Sequence, residues 1–370
     1  MASPDIIDLT TLLSPISDES PTGNDIRLDS SPSSKYQLIK SARTAARAAE
    51  RQSIHDGDNG EADEHWRKII SLAPDILANQ SKDLEIATWF TEALIRRHGF
   101  QGLRDAFKLI HGLLENFWDN LYPMPDEEDG MKNRTSPLSG LNGEGAEGVL
   151  IPTIRKVPLT EGHYPGPYSF WQYQQAVEAQ RGVSDDVRAS KIEKLGFSLD
   201  DIEKAVGESS DEFFINQLDD VTVAISFYRK TGELLDQLCG PEDAPSTRNI
   251  VDVLEECRSA ITHIGKNKLP LPQEDTPAEA ESGIGEASTG GAAPAQQIAG
   301  AINSREAAFK QLLEISKFFR KTEPHSPVSY VLEKAVKWGN MPLNELIAEL
   351  IPDSSSRERY SELTGVKNED

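Results

Sequence analysis

The chain has 370 residues and carries 61 Asp and Glu against 38 Lys and Arg, a formal net charge of −23. With 37% hydrophobic residues it can build two or three domains with cores, and its acidity argues against binding free nucleic acid or an anionic membrane. Two cysteines, Cys239 and Cys257, are too few for a disulfide framework, fit no zinc spacing and suit a reducing cytoplasm.

The opening MASPDIIDLTTLLSP lacks the basic and apolar regions of a signal peptide. Nothing in the sequence approaches the run of about 18 apolar residues that spans a membrane. In ARTAARAAERQ, Arg43, Arg47 and Arg51 stand four apart. A helix would line them up as one basic stripe, a candidate docking surface for an acidic partner or else a solvated face with internal ion pairs. HDGDNGEADEH, residues 55–65, has the acidity of a calcium loop, but with Asp56 first the sixth position is Glu61, where the sharp turn needs glycine. It reads as a solvated connector.

SKDLEIATWFTEALIRRHG, residues 81–99, predicts a helix capped by Ser81, with Leu84, Ala87, Phe90, Ala93 and Leu94 on one face and Gly99 as its stop. Leu103, Phe107, Ile110, Leu114 and Phe117 mark a second helix, antiparallel to the first, that ends before YPMP. GEGAEG, residues 143–148, matches a dinucleotide fingerprint in letters only. It does not join a strand to a helix, and Glu144 and Glu147 would repel phosphates. VLIPTIRKVPLT, residues 149–160, reads as a minor β ribbon, and the aromatics of YPGPYSFWQYQ, residues 164–174, read mainly as core. Beyond about residue 185 a second helical group includes DVTVAISFYRKTGELLDQLC and NIVDVLEECRSAITHI. Residues 269–301, rich in Pro, Gly, Ala, Ser and Glu, cannot bury enough surface to offset ordering, and so read as a flexible linker.

After that linker, EPHSPVSYVLEKAVKW sets Glu323, His325 and Ser326 close together. Ser326 followed by Pro327 is the start signal of a helix. A serine that caps its own helix is a poor nucleophile, and a neighbouring imidazole reaches its hydroxyl badly. The group therefore reads as a helix-cap corner. Phe309, Leu312, Leu313, Ile315, Phe318 and Phe319 cover more than one side of their helix, too much for one small core. With Val331 and Trp338 they form a candidate oligomer interface. Residues 301–370 have a net charge of only −1, so copies of this module can crowd together with little repulsion.

Several of these stretches together resemble the TssA family, the ImpA-related components of the type VI secretion system. They are LLSPISDESPTGNDIRLD at 12–29, the helical hairpin and acidic turn at 81–130, RTSPLSGLNG at 134–143, LIPTIRKVPLT at 150–160, and the segment from SREAAFKQ to AELI near the C-terminus. The resemblance implies a cytoplasmic, non-enzymatic assembly protein of a contractile injector. Its family forms rings through the C-terminal region and contacts baseplate, tube and sheath subunits, with no cofactor.

The expected architecture is mainly α: an ImpA-like N-terminal domain over 1–185, a middle helical domain over 186–268, the linker over 269–301 and a C-terminal oligomerisation module over 302–370. The competing readings are a hydrolase using Glu323, His325 and Ser326, and a helical adaptor unrelated to secretion.

Overall fold

A computed structural model describes residues 3–56, 60–128, 130–162, 164, 166–181, 184–240, 242–270, 305–322 and 327–339, with isolated positions at 341, 346, 349 and 353. Two compact units emerge, residues 1–277 and 278–370, and each is described by itself.

The first unit opens with a short helix, α1 (Leu9–Leu12), followed by α2 (Lys35–Asp56) and α3 (Gly60–Asn79). Helix α2 buries Ile39, Ala42 and Ala46, and α3 answers with Trp66, Ile69, Ala73, Ile76 and Leu77. The alanines leave room for the two helices to pack closely along their length. Residues 60–65, expected to belong to a solvated connector, instead form the first turns of α3. Ala62 turns into the core there, and Glu61 and Asp63 lie in the first turn, where the helix dipole favours negative charge.

Helix α4 (Leu84–Phe117) is two helices joined at Gly99, whose φ of 55° and ψ of −136° are not helical. A straight helix of that length would hold its ends about 51 Å apart. Here the ends meet: Leu84 N–H donates to the Tyr122 carbonyl at 2.7 Å and Tyr122 N–H donates to that of Lys82 at 3.0 Å. The chain therefore doubles back at Gly99, as the sequence predicts. The cap is Asp83, whose carboxylate accepts from Glu85 and Ile86 N–H, and not Ser81. Ser81 is fully buried and bridges to Gly23, which keeps the backbone extended for two more residues.

Next come α5 (Met131–Asn142) and α6 (Ile151–Arg155). The β ribbon expected over 149–160 is not formed by these residues. Pro152 sits in the first turn of α6, where its missing N–H costs nothing, and Leu150, Ile151, Ile154 and Val157 are all buried. That spacing is helical. Extended pairing survives only as a bridge from Pro158 to Ser169.

Helices α7 (Phe170–Gln180), α8 (Asp185–Leu195) and α9 (Leu199–Glu208) each begin at a serine cap, Ser169, Ser184 and Ser198, with capping boxes completed by Gln172 and Asp201. Helix α10 (Asp211–Cys239) and α11 (Arg248–Ile264) finish the unit. Helix α10 lies against α4, where the rings of Phe107 and Tyr228 stack at 4.3 Å. Residue 186 therefore does not separate two cores, because one apolar cluster runs from Leu12 to Ile261.

In the second unit, α12 (Arg305–Thr322) and α13 (Val328–Gly339) pair as a hairpin. The buried Ser316 hydroxyl donates to the Ser329 carbonyl at 2.9 Å, and Arg320 meets Glu333 at 2.8 Å. Gly339 allows the closest approach: a Cβ there would lie 2.3 Å from the Phe309 ring. The expected linker lies outside the described residues from 271 onward.

Candidate functional site

The arginine stripe forms as the spacing requires, yet much of it faces inward. Arg43 Nε donates to Glu92 at 2.8 Å, and Arg47 Nε lies 3.7 Å from the other oxygen of the same carboxylate. Glu92 is fully buried, so the two partly exposed guanidiniums compensate a carboxylate that water does not reach. Arg43 also covers the Trp89 ring at 5.3 Å. From the opposite side, Arg96 holds Glu50 of α2 at 2.5 Å and stacks 4.1 Å over Trp66. The stripe fastens α2 to α4 and leaves Arg51 as its exposed member.

A second charged node was not legible in the sequence. Arg104 is fully buried. It bonds Asp105 at 2.7 Å and Asp220 of α10 at 2.6 Å, and donates to the carbonyls of Ser3 and Pro4. Ile6 N–H completes the node by donating to Asp105 at 2.7 Å. The N-terminal segment, α4 and α10 are thereby held at one point. Arg27 does similar work at the start of α4, bridging Asp83 and Glu85, and these carboxylates raise its pKa well above the usual arginine value against the opposing effect of burial.

Glu323, His325 and Ser326 lie outside the described residues. Pro327 is a turn position just before α13, and its carbonyl accepts from Val331 N–H at 3.1 Å. Among the described residues no cluster of three or more His, Cys, Asp or Glu could hold a metal ion, and no helix is long and apolar enough to cross a membrane. GEGAEG is a loop between α5 and α6, and Gly143 takes a φ of 86° there.

Among the proposed interface residues, Leu313, Phe318 and Val331 are exposed, Phe318 at 62% and Val331 at 61%. Phe309, Leu312, Phe319 and Trp338 are half-buried. Ile315, Val328 and Tyr330 add to the exposed apolar surface. The hairpin therefore closes one side on itself and presents aromatic and branched side chains on another.

Comparison with known proteins places this architecture. Residues 13–143 match the family described as ImpA, N-terminal, type VI secretion system. Residue correspondence extends further: the chain is 24% identical, over 98% of its own length and all of the relative's, to the type VI secretion system component TssA1 of Pseudomonas aeruginosa. A solved structure, the N-terminal domain including the conserved ImpA_N region of the TssA component from Burkholderia cenocepacia, aligns with a TM-score of 0.58 at 24% identity, covering 72% of this chain and 98% of that one. The fold is thus that of the ImpA-type N-terminal domain. In sequence the chain is similar to a TssA component along nearly its whole length.

Proposed function

We propose that the chain is a non-enzymatic scaffold of a type VI secretion system, working in the cytoplasm. It forms a ring-like oligomer through α12 and α13 and coordinates baseplate, tube and sheath assembly by protein contacts. The observation that carries this reading is the set of exposed apolar side chains on the C-terminal hairpin, Leu313, Ile315, Phe318, Tyr330 and Val331. Exposed apolar side chains on both helices of so small a module mark it as an association surface. Low net charge over 301–370 supports self-association in particular, because copies meet with little repulsion. The relatives are components of type VI secretion systems, which supports tail and baseplate subunits as the further partners.

Replacing Phe318 and Val331 together by Glu in the full chain tests the reading. Light scattering should show an oligomer for the parent and a smaller species for the variant, with capture of tail or baseplate subunits weakened because their contacts are presented multivalently. An unchanged mass would refute this face as the ring contact.

A further inference from the structure

A groove of about 760 Å³ lies between α7 and α8. Arg155, Arg181, Lys191 and Lys194 line it with Glu178 as the only carboxylate among the described lining residues, and Trp171 forms part of its wall. Arg155 reaches Glu147 at 2.9 Å and Arg181 reaches Glu178 at 3.3 Å. Lys191 and Lys194, three apart on one face of α8, make no ion pair among the described residues. They form a cationic lip on a chain of net charge −23.

Trp171, 48% exposed, stands at one side of the groove. Its neighbour Phe170 is buried, so the helix divides its aromatics, one for the core and one for the groove. Helix α8 buries no side chain at all. Its apolar residues Ile192 and Leu195 are half-buried and Val187 is exposed, so this helix lacks the covered apolar face that ordinarily holds a helix in place.

The geometry points to this groove as a docking site for a short acidic segment of a partner protein, with an apolar anchor packed on Trp171 and carboxylates on Lys191 and Lys194. Charge complementarity selects the occupant. A short peptide sets its few carboxylates within one Debye length, about 8 Å, of the lysines. A nucleic acid continues past the groove over an acidic surface that repels it. The aromatic wall supplies the desolvated anchor on which such interfaces concentrate their affinity. This site is independent of the C-terminal hairpin and of ring formation.

The test uses the full chain and a short fluorescein-labelled peptide alternating glutamate and leucine, followed by fluorescence anisotropy. Saturable, salt-sensitive binding is expected, weakened about tenfold by Lys191→Glu with Lys194→Glu and also weakened by Trp171→Ala. The same peptide with glutamine for glutamate should not bind. Because α8 buries nothing, the charge reversals leave the core intact, which far-ultraviolet circular dichroism checks. The milder Lys191→Gln with Lys194→Gln pair should fall between parent and reversal. Absence of saturable binding, equal affinity in parent and charge-reversed proteins, or displacement of the peptide by a single-stranded oligonucleotide would overturn the assignment.

Discussion

Arg104→Met removes the positive centre of the node that joins the N-terminal segment, α4 and α10. The substitution keeps much of the side-chain volume but leaves Asp105, fully buried, and Asp220, 3% exposed, without their guanidinium. The Ser3 carbonyl loses this donor as well, while that of Pro4 keeps the Gln101 amide. Breaking a buried ion pair from one side costs about 3–5 kcal/mol because an uncompensated charge stays behind. For a unit of this size that corresponds to a drop in Tm of roughly 6–20 °C. Urea titration followed by tryptophan fluorescence measures the loss, and circular dichroism gives the shift in Tm. Adding Asp220→Asn to Arg104→Met removes one of the stranded charges and should recover part of the deficit. A loss below about 1 kcal/mol, or no recovery in the double variant, would refute the claim that this node fastens α10 to the N-terminal helices.

Other parts of the structure carry their own expectations. Lys82 is buried with its ammonium on the carbonyls of Leu12 and Leu77, and burial lowers its pKa to about 8. The unfolded chain then holds this proton at pH values where the fold has released it, so the Lys82 contribution rises between about pH 8 and 10. Parent minus Lys82→Met stability, measured by denaturant titration, should grow across that window, and a flat difference would contradict it. Gly339→Ala drives a methyl into the Phe309 ring and should destabilise the hairpin by about 1–3 kcal/mol, seen as earlier thermal loss of its helicity. Cys257 is fully buried and its thiol pKa is pushed up by that burial, whereas Cys239 is half-buried. A thiol reagent should therefore modify Cys239 first and reach Cys257 only on unfolding.

Much of the helical order was legible from periodicity. The reversal at Gly99 followed from a glycine at the end of one apolar face and the start of another, and α10 and α11 fall in the helical group read beyond about residue 185. The ribbon over 149–160 misled because proline and β-branched residues suggest strands locally. The recurrence of Leu150, Ile151, Ile154 and Val157 carried the opposite signal. The arginine stripe was visible as a spacing, but its direction depends on Glu92, which lies 49 residues from Arg43 and on another helix. Arg104 and Asp220 are 116 residues apart, and no local pattern announces such a pair. The groove beside Trp171 was hidden in the same way, since reading its aromatics as core is right for Phe170 and misses the lysines brought opposite by α8.

The central claim is that α12 and α13 make the ring while residues 1–268 fold around their own core. It is tested most directly by measuring the solution mass of the full chain beside that of residues 1–268 expressed alone, at matched concentration. The account predicts a large closed oligomer for the full chain, ring-shaped in negative-stain images, and a folded monomer for the truncated one. An oligomer of equal copy number from residues 1–268, or a monomeric full chain, would contradict it.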